Sequence, residues 1–362
     1  MRIIQIIDSL EAGGAEKMAI NYANTLSKRI KFSGLIATRK QGPLLEQINN
    51  NVDYLFLDKK KRIDFKSIFQ LRNYVKKNKV DFIQAHSSSF FIAVLVKLTF
   101  FKVKIIWHDH YGISQDLKSR KNLSLKFGSL FFTGIISVNS ALKDWAQDYL
   151  WCKKIIYLPN FIENDVSLNA EISLKGLEGK RIVCVANLRP QKNHELLINA
   201  ASIIRNKFPD WTFHLIGKDF EDKHSYGLMR KVEDLKLKEN VFFYGTINNV
   251  ASVLKQSEIA VLPSLSEGLP LALLEYGLYE MPVVVTNVGE ISKIITSEKT
   301  GLIVLSNDLE QFTQAIQKLI EDRIYRKAIG LELNKVIKLN YSEESVIEKY
   351  ISWLNSLFNF TI

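Results

Sequence analysis

The sequence predicts an α/β protein made of two doubly wound domains, each a parallel sheet covered by helices on both faces. Three observations predict it. Apolar runs of strand length alternate with amphipathic stretches from end to end. The alternation breaks once, at the turn-rich segment Leu158-Pro159-Asn160-Phe161-Ile162-Glu163-Asn164-Asp165. The 362 residues suffice for two cores of ordinary size. The expected domains are residues 1–162 and 163–340, followed by a last helix within residues 341–362.

In the first half the expected strands are residues 3–7, 34–37, 54–57, 82–85, 104–107, 134–138 and 155–158. In the second they are residues 182–186, 213–216, 241–244, 259–262, 283–285 and 302–304. The segment Ser264-Leu265-Ser266-Glu267-Gly268-Leu269-Pro270-Leu271-Ala272-Leu273-Leu274-Glu275 predicts a helix that begins at Pro270, where a missing N–H costs nothing. Leu271, Leu274 and Leu278 would form its buried stripe, with Glu275 at the border. A carboxylate beside a core face needs hydrogen-bond partners. The last helix has Ser342 as a cap and Glu343 and Glu344 at its positive end. Its apolar stripe is Val346, Ile347, Tyr350, Ile351, Leu354, Leu357 and Phe358.

Composition fits a folded globular protein, with 47% hydrophobic and 24% charged residues. Cys152 and Cys184 fall in separate halves and suggest neither a disulfide framework nor a zinc site. Residues 1–8 read as a buried strand rather than a signal peptide, so a cytoplasmic protein is expected. The apolar run 90–96 ends at Lys97, well short of the roughly 20 residues that span a bilayer. Charge is uneven. Residues 1–162 hold 26 Lys and Arg against 12 Asp and Glu, whereas the remainder holds 23 against 26. Lys59, Lys60, Lys61 and Arg62 lead into Lys66, Arg72, Lys76, Lys77 and Lys79, with Phe65, Ile68, Phe69 and Val75 at roughly helical spacing. Such a face is either simply solvated or meets an anionic membrane, where each cation near the surface contributes about 1 kcal/mol. No nucleic-acid motif accompanies the charge, and no nucleic-acid partner is expected.

Doubly wound sheets bind ligands at the carboxyl ends of their strands, and four groups of residues fall there. Asp8 to Glu16 contains Gly13 and Gly14 ahead of a helix, where backbone approaches a ligand closely. Asn187-Leu188-Arg189-Pro190-Gln191-Lys192-Asn193 carries two cations suited to clamping a diphosphate. His108-Asp109-His110-Tyr111-Gly112 offers imidazoles for a substrate hydroxyl; His-x-His also suggests metal, but neither cysteine nor a third clustered ligand supports it. The Glu267/Glu275 segment is the fourth.

Taken together these residues resemble the family 4 glycosyltransferases of the two-domain GT-B fold, enzymes that transfer a sugar from a nucleotide-diphosphate donor with retention of configuration. The resemblance runs from Gly13-Gly14-Ala15-Glu16 to the last helix. Its most specific elements are the Glu-x7-Glu signature, Glu267 to Glu275, and the following Met281-Pro282-Val283-Val284-Val285-Thr286. It implies two Rossmann-like domains facing a cleft, with the last helix crossing back to the first. Arg189 and Lys192 would bind the donor diphosphate. Glu267 would contact sugar hydroxyls, with Gly268, Leu269 and Leu271 offering amides, and Glu275 would hold the ribose. His108 would be the active-site histidine near the transferred sugar, unless His110 takes that place. Gly14 would lie against the phosphate, and Gly13, His110 and Asn160 on the acceptor side. Two positions depart from the family pattern, Gly289-Glu290 and Gly217-Lys218-Asp219.

The implied reaction needs no cofactor and no metal, since no Asp-x-Asp occurs and Arg189, Lys192 and helix-terminal amides can stabilise the leaving diphosphate. A UDP-sugar is the expected donor. The expected acceptor is a glycan, preferably polyprenyl-diphosphate-linked as in capsule or O-antigen biosynthesis, met at the inner membrane face. Two rivals are a nucleotide-sugar epimerase or hydrolase of the same fold and a non-catalytic scaffold subunit.

Overall fold

The computed structural model describes residues 1–11, 13–111, 117, 120, 123–162, 172–247 and 249–358, the last two by backbone alone. It divides into two compact units, Met1–Glu163 with Glu343–Ile362, and Asn164–Ser342. Residues 163–165 of the expected junction, and Gly112, lie outside the described residues.

The first unit is built on β1 (Arg2–Ser9), β2 (Phe32–Lys40), β3 (Asp53–Phe56), β4 (Phe82–His86), β5 (Lys104–Asp109), β6 (Gly134–Ser137) and β7 (Ile155–Tyr157). They pair in parallel in the order β3-β2-β1-β4-β5-β6-β7. Between them run α1 (Gly14–Ser27), α2 (Phe65–Lys77), α3 (Phe90–Thr99), α4 (Leu123–Gly128) and α5 (Ser140–Tyr149). Side chains alternate along each strand, so both faces must be covered. Ile4, Ile6, Ile83 and Ile105 pack with Ile68 and Leu71 of α2, Val96 of α3 and Trp145 of α5. Ile7, Leu35 and Ala37 face the other way, onto Ala19, Ile20 and Ala23 of α1.

Helix α2 forms because Asp64 caps it, accepting from Ser67 N at 3.2 Å, while Lys76 and Lys77 suit its negative end. Only part of its expected apolar set is buried. Ile68, Leu71 and Val75 face the core, but Phe65 and Phe69 are 71% and 52% exposed. Lys59 corrects the expected basic face in the opposite sense. It is 6% exposed, burial lowers its pKa, and its backbone N–H donates to Thr38 O of β2.

The second unit contains β8 (Arg181–Val185), β9 (Thr212–Ile216), β10 (Val241–Phe243), β11 (Ile259–Leu262), β12 (Val283–Thr286) and β13 (Leu302–Val304), parallel in the order β10-β9-β8-β11-β12-β13. Its helices are α6 (His194–Lys207), α7 (Lys223–Asp234), α8 (Val250–Leu254), α9 (Leu271–Leu278), α10 (Ile291–Ile294), α11 (Leu309–Glu321) and α12 (Arg323–Asn340). Ile182, Phe213 and Val261 pack with Ala201 and Ile204 of α6 and Phe312 and Ile316 of α11.

Helix α13 (Glu343–Phe358) belongs to the first unit. Val346, Ile347, Tyr350 and Leu354 are wholly buried, and the Trp353 ring lies so close to Gly134 of β6 that a Cβ there would meet it at 2.7 Å. The side chains of Leu357 and Phe358 lie outside the described residues. In each sheet the strand order reverses once, between β1 and β4 and between β8 and β11. Those two switch points are where open α/β sheets leave room for ligands.

Candidate functional site

At the switch point of the second unit, the loop after β8 meets the loop after β11. Leu265 N donates to Gln191 O at 2.8 Å, joining the two. Lys192 Nζ donates to Glu267 Oε1 at 2.5 Å, and Ser264 Oγ donates to the same oxygen at 2.7 Å. Glu267 is buried and Lys192 half-buried, so this pair lies in reduced dielectric. Arg189 is exposed, its guanidinium 3.6 Å from the Phe220 ring centroid. Stacking holds the planar fork without using its N–H groups, which stay available to an anion.

The expected departures at Gly217 and Gly289 have structural roles. A Cβ on Gly217 would come within 2.2 Å of Ala186 O, where the cationic loop leaves β8. The neighbouring residue lashes that loop down: Lys218 N donates to Asn187 Oδ1 and Leu188 N to Lys218 O. At Gly289, φ is 58° and a Cβ would lie 2.2 Å from Glu267 O. Glu290 N donates to Gly268 O at 3.0 Å, so the Gly268 carbonyl is committed to the loop after β12.

Helix α9 differs in detail from expectation. Pro270 is its cap, with extended backbone, and the first helical residue is Leu271. The buried set is Leu273, Leu274, Tyr276 and Gly277; Leu271 and Leu278 are only half-buried. The stripe is displaced because Tyr276 rivets the helix to the sheet. Its hydroxyl accepts from Val185 N at 2.7 Å and donates to Val261 O at 3.5 Å. Gly277 permits close approach of α12, since a Cβ would meet Ile337 at 2.4 Å. Glu275 is half-buried on the same helix, and Leu269 is buried just before it.

The first unit brings three histidines together at its switch point. His86 ends β4, directly opposite His108 of β5 in the parallel register. His86 Nε2 bonds Gln5 Oε1 at 2.8 Å, His86 Nδ1 bonds His110 Nε2 at 2.9 Å, and His108 Nδ1 meets Gln84 Nε2 at 3.0 Å. The rings of His108 and His110 are 4.0 Å apart. Burial holds His86 and His108 well below the usual imidazole range and pushes His110 down to about 3. All three are therefore neutral at pH 7.

This cluster corrects the expectation that His-x-His lacks a third ligand. Nitrogens of His86, His108 and His110 all lie within 4.8 Å of one another, near enough to hold a metal ion. As bonded here, each ring already has a nitrogen committed to a neighbouring side chain. Asp109, by contrast, is not part of the cluster. It points to the opposite face of β5, as strand alternation requires. There its carboxylate accepts from Arg120 at 2.7 and 2.9 Å, and Arg120 stacks on Trp145.

Gly13 caps α1 with no side chain of its own; a Cβ there would strike the Glu16 carboxylate at 2.2 Å. Gly14, the first helical residue, is exposed. Burial raises the pKa of Glu16, which accepts from Ser9. Asn160 is buried beside Phe161, whose carbonyl accepts from Asn21 and whose ring meets Tyr22 edge-on. Sequence reasoning missed His86, Gln5 and Gln84. The available signal was a glutamine inside each of two apolar strand runs, which demands a buried partner.

Residues 12–166 match the family model described as Glycosyltransferase Family 4, and residues 166–335 match the model Glycosyl transferases group 1. Over 318 residues the chain is 26% identical to a UDP-Gal:alpha-D-GlcNAc-diphosphoundecaprenol alpha-1,3-galactosyltransferase of Escherichia coli, covering 81% of each chain. It is 24% identical over 340 residues, 91% of each chain, to a Campylobacter jejuni GalNAc-alpha-(1->4)-GalNAc-alpha-(1->3)-diNAcBac-PP-undecaprenol alpha-1,4-N-acetyl-D-galactosaminyltransferase. Among solved structures, Anabaena Alr3699/HepE in complex with UDP and glucose superposes with a TM-score of 0.81 at 16% identity, covering 98% of this chain and 100% of that one.

Proposed function

The chain belongs to glycosyltransferase family 4 and has the GT-B fold, and from that premise we propose that it moves a sugar, with retention, from a UDP-sugar to a polyprenyl-diphosphate-linked glycan. The observation that carries the donor assignment is the Lys192–Glu267 pair at the switch point, on the two loops that also carry Arg189 and lead into α9. Donor phosphate oxygens take over Lys192, releasing Glu267 to accept from sugar hydroxyls. Glu275, one turn into α9, receives the ribose. The bond from the sugar's anomeric carbon to the phosphate oxygen breaks, and its electron pair leaves with the diphosphate. Arg189, Lys192 and the α9 amides stabilise that charge as it develops. The acceptor hydroxyl attacks from the departing side, and its proton goes to the departing phosphate oxygen. By the family resemblance, His108 is the active-site histidine.

The acceptor rests on the relatives, whose names specify diphosphoundecaprenol and PP-undecaprenol acceptors. Capsule or O-antigen biosynthesis is the setting this implies. Among the described residues no helix is long and apolar enough to cross a membrane. Reaching a lipid-linked acceptor then falls to the surface of the first unit, whose α2 exposes Phe65 and Phe69 among Lys61, Lys66 and Lys76. Phe101 after α3 and Leu123 and Phe127 on α4 are exposed as well. Aromatic side chains beside lysines favour the interface of an anionic bilayer.

The test is transfer from UDP-, GDP- and ADP-sugars to a synthetic polyprenyl-diphosphate N-acetylhexosamine, with the anomeric configuration of the product read by proton NMR. Retention and transfer from one UDP-sugar are expected, unchanged by EDTA, since the proposed charge stabilisation uses only cationic side chains and amides. Donor consumption without acceptor would favour an epimerase or hydrolase, and loss on chelation with rescue by manganese would move the chemistry to a metal.

A further inference from the structure

We propose that Tyr350 and Gln84 are positioning residues that lock the neutral His108 ring in the tautomer carrying its proton on Nε2. Tyr350 lies on α13, 266 residues from Gln84, and its fully buried hydroxyl donates to Gln84 Oε1 at 2.6 Å. With its oxygen committed to a hydroxyl donor, the Gln84 amide presents N–H to His108 Nδ1 at 3.0 Å. Nδ1 must then accept, and a neutral imidazole that accepts at Nδ1 carries its hydrogen on Nε2. Turning the amide over would cost the Tyr350 hydroxyl its acceptor on Gln84.

Packing enforces the arrangement. The Tyr22 ring meets both His108, at 5.4 Å, and Tyr350, at 5.2 Å, edge-on, so the three rings pack as one group. The Nε2 atom that results is buried and has no protein partner. A buried polar atom without a partner calls for an explanation, and this one is a donor near the carboxyl end of β5, one strand from the switch point. It suits an oxygen of a bound ligand. The same logic makes His108 a poor metal ligand, because binding through Nε2 would require displacing its proton and reversing the Gln84 amide. The last helix thus does more than cover the sheet: it sets the hydrogen-bonding character of a residue on β5.

The tautomer assignment stands on the geometry alone; its effect on turnover rests on the proposed transferase reading. Long-range nitrogen–proton NMR of the full chain labelled with nitrogen-15 histidine tests it, with His108 identified by comparison with His108→Gln. The wild type should show an unprotonated Nδ1 and a protonated Nε2. Tyr350→Phe keeps the packing and removes the donor, so both tautomers should become populated, with kcat falling about 10-fold and UDP affinity little changed. As a carboxylate, Gln84→Glu can only accept from the ring and should put the proton on Nδ1, with turnover falling on the order of 100-fold or more. An Nδ1-protonated wild type, or Tyr350→Phe spectra and turnover equal to wild type, overturns the proposal. Loss of stability in Tyr350→Phe with an unchanged tautomer overturns it too. A wild type with the expected tautomer and no transferase activity would instead refute the proposed function.

Discussion

Gly289 and Glu267 touch through backbone alone, 22 residues apart, and that contact decides what can stand at position 289. Its φ of 58° and the 2.2 Å approach to Glu267 O leave no room for a side chain. Gly289→Ala should therefore destabilise the second unit by about 1–3 kcal/mol and push the Glu267 loop off its bond with Glu290. Urea unfolding measures the first effect and nucleoside-diphosphate titration the second; wild-type values in both would show that the loop is not held this way. The placement of several polar residues at this scale was legible in the sequence. Arg189, Lys192, Glu267 and His108 announce themselves as polar groups at the ends of apolar runs. The Lys192–Glu267 pair did not, because residues 75 apart meet only through sheet order. His86 was equally hidden, since it becomes a neighbour of His108 only when β4 and β5 lie side by side.

The ends of β4 and β5 hold three imidazoles neutral by burial, His110 pushed down to about 3 and the other two well below the usual range. In the second unit burial pushes His194 and His214 down to about 4. Unfolded, each titrates near 6.5. Below that pH the unfolded chain binds protons that the folded one refuses, so stability is full above about pH 6.5 and declines as pH falls toward 4. Glu16 and Asp109, whose pKa values burial raises, act in the opposite sense nearer the carboxylate range. Urea midpoints should thus be clearly lower at pH 5.5 than at pH 7.5, and His86→Gln should shrink the difference. Equal wild-type midpoints would contradict the buried, neutral cluster. Elements themselves were easier to read than their faces. The run of strands could be placed from apolar length, but α9 turned its buried side toward Tyr276 because one hydroxyl satisfies two strands. Helix α2 likewise kept Phe65 and Phe69 outside although periodicity counted them with the core.

Over the whole chain, strand–helix alternation was enough to imply two doubly wound units, while the return of α13 to the first unit came from family resemblance rather than from any local pattern. The distribution of charge has a consequence at this scale. The first unit, with its lysines and exposed aromatic side chains, should bind vesicles containing anionic lipid more tightly than neutral ones, and salt should weaken the binding, since charges are screened beyond about 8 Å at physiological ionic strength. Co-sedimentation of wild type and of a variant with Phe65, Lys66 and Phe69 changed to Ser checks this. Equal binding to both vesicle types, or by the variant, would remove the membrane from the account and leave the transferase reading intact. The central claim is that the switch point of the second sheet holds a nucleoside diphosphate. Calorimetric titration of the full chain with UDP, GDP and ADP, repeated on Lys192→Ala, tests it most directly. UDP should bind most tightly, and Lys192→Ala should weaken it about 10-fold or more, as loss of a charge-assisted phosphate contact implies. No binding of any of the three, or the same UDP affinity in Lys192→Ala, would contradict it.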